Sequence, residues 1–180
     1  MEYKAYTDGS YQDSIGAGGC ASVILDETGK VIKIICQGFK ETTNNRMELR
    51  GVINTLKYFE DKADIEIISD SQYVISSITG GHAKRWIEEK DFTKKNLDLW
   101  FELLDLVEFH NVSFTWVKGH SGDKYNELAD TLAVISAQCL NIQKEVASAI
   151  TMMCDTVPYD VKIKVVQIAW KTMLSHSIKS

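Results

Sequence analysis

Three strand-like runs joined by short turns open this chain, and two more follow, each preceded by a stretch of helical periodicity. An antiparallel meander that passes into helix and strand alternation has to bury both sheet faces. That restricts the chain to the α/β class, as a mixed five-stranded sheet flanked by helices. The first run is Glu2 to Thr7. Gly16 to Gly19 reads as the turn into Cys20 to Leu25, and Asp26-Glu27-Thr28-Gly29-Lys30 as the hairpin turn into Val31 to Gly38. From Asn45 to Phe59, residues Met47, Leu49, Val52, Ile53, Leu56 and Phe59 recur at helical spacing. Ala63 to Ser69 is the fourth strand candidate, and Ser71 to Thr79 a short helix broken by Gly80-Gly81. A polar stretch, His82 to Asn96, precedes an amphipathic helix carrying Leu97, Leu99, Trp100, Leu103, Leu104 and Val107. Val112 to Val117 is the fifth strand, Lys118 to Asp123 a glycine-bearing loop, and a last long helix starts at Lys124.

Four acidic residues stand in four of these segments. Asp8 and Asp70 close strand runs, whereas Glu48 and Asp130 lie within helical ones. Ligand sites in such sheets favour strand ends, and side chains on the facing helices can meet them there. Converging carboxylates repel one another, and a hard divalent cation relieves the repulsion. An oxygen-only set with room for water suits Mg²⁺ or Mn²⁺, whose usual work is on phosphates. The residues alone therefore point to a metal-dependent phosphodiester enzyme.

Bulk properties narrow the setting. No apolar run approaches membrane-spanning length, and the N-terminus enters a strand pattern with no signal-peptide segment. Cys20, Cys36, Cys139 and Cys154 are scattered among apolar neighbours with no C-x-x-C pair, which fits small thiols in a reducing compartment. A cytoplasmic location is expected. The net charge of −5 argues against gripping nucleic acid through overall charge and leaves the question to a local patch. His82, His110 and His176 show no ligand spacing and read as surface residues.

Five segments together resemble type 1 ribonuclease H: Tyr6-Thr7-Asp8-Gly9-Ser10, Thr42-Thr43-Asn44-Asn45-Arg46-Met47-Glu48-Leu49, Ser69-Asp70-Ser71-Gln72-Tyr73-Val74, Trp116-Val117-Lys118-Gly119-His120-Ser121-Gly122 and Asn126-Glu127-Leu128-Ala129-Asp130. Each alone is weak; all five in the family's order are specific. The resemblance covers residues 1–137 and implies a ribonuclease H-like fold that cuts the RNA strand of RNA–DNA hybrids. It implies a site for two Mg²⁺ ions, with Mn²⁺ a substitute. Asp8 would bridge both ions, Glu48 and Asp70 would complete one shell, and Asp130 the other. His120 would assist proton transfer or product release. Asn44, Asn45 and Gln72 would contact the hybrid in its minor groove, where amides can feel the RNA 2′-hydroxyl. Thr43 and Asn96 would hold a DNA-strand phosphate, and Ser10 would contribute through its backbone. The products would carry 5′-phosphate and 3′-hydroxyl ends, and the biological role would be removal of RNA primers and other hybrids during DNA replication.

Other readings stand beside these. Thr42 to Asn45 reads equally as an N-cap, with Asn44 or Asn45 capping the Glu48 helix. Lys84, Arg85, Trp86, Lys94 and Lys95 offer a basic grip, but Glu88, Glu89 and Asp91 interrupt it, and the segment is shorter than the basic protrusion of several relatives. Trp86 either stacks on substrate or anchors the segment to the core, and weaker hybrid binding than in basic relatives is expected. The Tyr11 to Gly19 loop lacks the asparagine-proline-glycine version of many relatives, and no separate hybrid-binding domain is expected ahead of the first strand. Residues 138–180 fall outside the resemblance. Their apolar spacing suits a helical extension that packs on the domain, forms a homodimer contact or docks a protein partner. The rival functions are a ribonuclease H domain tied to a reverse transcriptase, an integrase-like relative, and a catalytically silent hybrid-binding module. The Gly-His-Ser-Gly loop and Asp-Ser-Gln-Tyr-Val segment disfavour the integrase, and the full carboxylate set disfavours the silent module.

Overall fold

The computed structural model describes residues 2–138. The expected extension, with Cys139, Cys154 and His176, lies outside them. Strands β1 (Glu2–Gln12), β2 (Ala17–Leu25) and β3 (Val31–Lys40) form the meander. Helix α1 (Asn44–Lys57) leads to β4 (Asp64–Ser69), and α2 (Gln72–Thr79), α3 (His82–Glu88) and α4 (Leu97–Phe109) to β5 (Asn111–Trp116). Helix α5 (Lys124–Gln138) ends the described chain. The five strands make one sheet in the order β3-β2-β1-β4-β5. The first three pair antiparallel, and β1, β4 and β5 run parallel. This is the expected mixed sheet.

Strand alternation feeds two cores, one on each face. Ala5, Ile24, Ile65 and Ile67 join Leu49, Val52, Ile53 and Leu56 of α1 and Leu99, Trp100 and Leu103 of α4. Ala21, Val23, Leu25 and Ile34 join Leu128, Leu132 and Ile135 of α5. No described helix is long and apolar enough to cross a membrane.

Several expectations need correction. Strand β1 does not stop at Asp8 but pairs with β2 as far as Gln12↔Ala17, so Gly18 and Gly19 are strand rather than turn. Glycine is needed there because α5 lies directly on β2: a Cβ on Gly19 would come within 2.2 Å of the Ala133 carbonyl oxygen. What ends near Asp8 is the parallel ladder, whose last pair is Tyr6↔Ile68. Asp8 therefore lies just past the end of β4, and the strand-end logic holds for the ladder rather than for the strand.

Within the stretch read as polar, α3 forms because Ala83 is buried and Trp86 and Ile87 pack on the main core, too few apolar positions to show a period. The α1 cap is Thr43, whose hydroxyl accepts the Arg46 amide at 3.4 Å, so neither Asn44 nor Asn45 caps. His110 is not on the surface. It is 4% exposed, its Nε2 donates to the Leu56 carbonyl at 3.1 Å, and its Nδ1 accepts the Ala63 amide at 3.3 Å. A neutral imidazole that donates at one nitrogen and accepts at the other is satisfied in the core.

Candidate active site

Strand and helix meet here at unusually close range. Gly9 follows Asp8, and a Cβ at Gly9 would fall 2.2 Å from the Glu48 backbone nitrogen. That contact brings the first turn of α1 onto β1 and sets Glu48 beside Asp8. Asp70 follows the last residue of β4, and its backbone carbonyl accepts the Trp116 indole N–H at 3.1 Å. One ligand oxygen from each of Asp8, Glu48 and Asp70 lies within 4.8 Å of the others.

Both deeper carboxylates are nearly buried, Asp8 at 6% and Glu48 at 8% exposed. Asp8 Oδ1 accepts the Gly9 amide at 2.7 Å, and Glu48 Oε1 accepts Asn44 Nδ2 at 3.3 Å. Glu48 Oε2 is buried with no hydrogen-bond partner. Burial, then the charges of Asp70 and Asp130, push the Asp8 carboxyl up to about 8. Burial, then Asp8 and Asp70, hold the Glu48 carboxyl well above the usual range. Carboxylates so placed resist ionising together near neutral pH unless positive charge joins them. The orphaned oxygen and the all-oxygen donor set fit a hard divalent cation.

Asp130 stands outside the three-residue cluster, on α5, yet close enough to raise the Asp8 carboxyl further. Its Oδ2 is 3.9 Å from His120 Nδ1, beyond hydrogen-bond reach. His120 is exposed on its loop, in the left-handed region at φ 51°.

Of the expected substrate residues, Asn44 reaches the cluster through its bond to Glu48. Asn44, Asn45 and Gln72 are exposed at the starts of α1 and α2, and Ser10 is half-buried on β1 opposite Gly19. Asn96 sits at φ 62°, its Nδ2 donating to the Tyr73 hydroxyl at 3.1 Å and its Oδ1 accepting from Arg46 at 3.4 Å. Arg46 also binds Asp98 with both terminal nitrogens, at 2.9 and 2.6 Å.

In the basic segment, Lys84, Arg85, Lys94 and Lys95 are exposed, with Lys84 3.8 Å from Glu88 and Lys94 3.6 Å from Asp91. Trp86 is occupied within the fold: it stacks on His82, meets Trp100 edge-on at 6.0 Å and carries Lys94 over its ring at 5.9 Å.

Sequence reasoning passed over Asn126, Gly119 and Trp116, all of which touch Asp70. Asn126 Nδ2 donates to Asp70 Oδ2 at 3.1 Å, and a Cβ on Gly119 would meet that same oxygen at 2.5 Å. The available signal for Asn126 was its place one helical turn before Asp130, on the same face.

A mixed sheet that delivers clustered carboxylates beside a parallel ladder's end suits metal-assisted hydrolysis of a phosphodiester. The RNase H family model matches residues 1–138, and the chain belongs to that family of nucleases. It is 42% identical over 150 residues to a ribonuclease H of Desulforamulus reducens, covering 81% of this chain and 93% of that protein. It is 40% identical over 141 residues to the ribonuclease HI of Synechocystis sp., covering 74% and 86% respectively. Among solved structures, LC9-RNase H1, a type 1 RNase H with the type 2 active-site motif, superposes with a TM-score of 0.68 at 28% identity, over 78% of this chain and 74% of that one. The RNase H1 of Halobacterium salinarum shares the fold, with a TM-score of 0.61 at 24% identity over 77% and 98%.

Proposed function

We propose that this chain is an endoribonuclease that hydrolyses the RNA strand of RNA–DNA hybrids using two divalent cations, Mg²⁺ or in its place Mn²⁺. The observation that carries the reading is the convergence of Asp8, Glu48 and Asp70 within 4.8 Å, in a chain of the RNase H family. Asp8 would hold both ions, with Glu48 and Asp70 contributing to one of them and Asp130 to the other. When bound, such ions supply the charge that ionises a water near neutral pH and stabilises the departing 3′ oxygen.

The chain's own residues do the rest. Mutual repulsion and burial make Asp8 and Glu48 hold protons more tightly in the metal-free protein, and a bound cation would displace those protons and relieve the repulsion. The exposed His120 assists proton transfer or product release beside Asp130. Water forms the new bond to phosphorus as the P–O3′ bond breaks and the 3′ oxygen takes up a proton, so the products carry 5′-phosphate and 3′-hydroxyl ends. Asn44, Asn45 and Gln72 present amides that both donate and accept, which suits the RNA 2′-hydroxyl. Thr43 and Asn96 take a DNA phosphate, and Ser10 supports the RNA strand through its backbone. Lys84, Arg85, Lys94 and Lys95 add a weak electrostatic grip. The biological role that follows is removal of RNA primers and other hybrids during DNA replication, in the cytoplasm.

The deciding assay compares an RNA–DNA hybrid with matched double-stranded RNA and DNA, with and without Mg²⁺, for the native protein and Asp70→Asn. Cutting of the hybrid's RNA strand alone, dependent on Mg²⁺ and lost in the variant, is expected. Equal cutting of all three duplexes, or an undiminished variant, would sink the mechanism.

A further inference from the structure

Asn126 is one of the most buried polar residues of the domain, 2% exposed near the start of α5. Its side chain makes a single hydrogen bond among the described residues, from Nδ2 to Asp70 Oδ2 at 3.1 Å. Its Oδ1 is buried with no partner. A buried amide that leaves its acceptor unsatisfied is oriented by its donor alone. The interaction with Asp70 is therefore what the side chain does.

The surroundings of Asp70 agree. The oxygen that Asn126 holds is also the one pressed against Gly119, where even a methyl group would come within 2.5 Å. The Asp70 backbone carbonyl is fixed by Trp116 at 3.1 Å. The residue is thus pinned at its main chain and at one carboxylate oxygen, beside Asp8 and Glu48. Asn126 also lies one turn before Asp130 on the same helix, so its hydrogen bond links the helix that carries Asp130 to the Asp70 carboxylate.

We propose that Asn126 is a positioning residue: it reserves one oxygen of Asp70, fixes the rotation of that carboxylate and ties the Asp130 helix to it. This rests on the cation-site reading of the acidic cluster. Groups that orient metal-binding carboxylates typically change metal affinity or activity by about 10- to 100-fold when removed.

The test uses the full-length chain and the variants Asn126→Leu, which keeps the volume but removes the donor, and Asn126→Asp, which keeps the shape and replaces the donor with an acceptor. Calorimetric titration of the substrate-free protein with Mn²⁺ is expected to show about tenfold weaker binding in either variant. On an RNA–DNA hybrid, kcat is expected to fall about 10- to 100-fold and the half-saturating Mg²⁺ to rise, with KM for the hybrid unchanged. A merely structural asparagine would instead lower the thermal midpoint while leaving Mn²⁺ affinity and kcat intact in the folded protein. That result overturns the proposal, as does native Mn²⁺ affinity in Asn126→Asp should the leucine variant not fold. Failure of the native enzyme to cut a hybrid would count against the proposed function, and the Mn²⁺ titration would still decide the role of Asn126.

Discussion

Gly9 and Glu48 touch through their backbones, so closely that a Cβ on the glycine would fall 2.2 Å from the glutamate nitrogen and 2.4 Å from the Met47 carbonyl carbon. The contact joins fold to chemistry, because the strand that carries Asp8 can reach Glu48 only where no side chain intervenes. Backbone cannot swing aside as a lysine tip can. Gly9→Ala should therefore separate β1 from α1 and destabilise the domain by about 1–3 kcal/mol, the usual range for overpacking. Urea denaturation reads the loss, and nuclease activity should fall further than stability because the carboxylates move apart. An alanine variant with native stability and native activity would contradict the close approach.

Acidity should act on the metal-free protein in an unusual direction. The Asp8 carboxyl is raised to about 8 from an ordinary 3.8, chiefly by burial and then by Asp70 and Asp130. A carboxyl whose native value is raised binds its proton more tightly when folded, so its contribution is full below the unfolded value and is lost as pH climbs through the folded one. In EDTA, the thermal midpoint should decline between about pH 5 and pH 8.5, and Asp8→Asn should flatten part of that decline. Glu48, raised in the same sense, contributes to the same decline. Added Mg²⁺ should restore more stability at the alkaline end, where no proton competes for the site. A midpoint that rises with pH across this window in EDTA would refute the account.

His110 gives a prediction far from the chemistry. Its ring bridges the end of α1, through the Leu56 carbonyl, to the Ala63 amide just before β4, and meets Phe59 and Phe109 edge-on. Replacing it with phenylalanine keeps an aromatic ring but leaves the Ala63 amide unmatched, at a cost of about 1–3 kcal/mol, while the Leu56 carbonyl still accepts the Phe59 amide at 3.2 Å. His110→Phe should therefore unfold at clearly lower urea while its kcat on a hybrid stays native. A variant as stable as the parent would show that the two hydrogen bonds contribute nothing.

These cases show which features could be read in advance. The five strands, helices α1, α2, α4 and α5 and the meeting of Asp8, Glu48 and Asp70 follow from period, turn residues and motif order, signals that lie within a few residues of one another. The misreadings share a different cause. His110 sits beside Phe109 at a helix end, and nothing local tells that Leu56 and Ala63 enclose it. Gly18 and Gly19 look like a turn, because what requires their smallness is distant in sequence: the Thr42 and Met47 side chains at Gly18, and residues 133–137 of α5 at Gly19. Helix α3 has one buried residue, too few to generate a period. Asn126 was in view within a motif, but its donor role exists only once α5 lies against the end of β4. What escaped was long-range contact made by residues whose types are locally ambiguous.

The segment around Trp86 gives the last prediction. Its ring is engaged by His82, Trp100 and Lys94, so little of it remains for a nucleic acid. Two of the nearby cations already face acids, Lys84 toward Glu88 and Lys94 toward Asp91. A phosphate has to compete with those partners, and each phosphate neutralised adds about 0.9 to the slope of log affinity against log salt on a duplex. A shallow slope is expected for hybrid binding by the Asp70→Asn protein, and Glu88→Gln with Asp91→Asn should steepen it by freeing the lysines. Trp86→Ala should lower the urea midpoint while leaving the slope as it was, since the indole contributes packing and no charge. If Trp86→Ala instead weakens hybrid binding strongly at unchanged stability, the ring is a substrate contact and the packing described here is not its role.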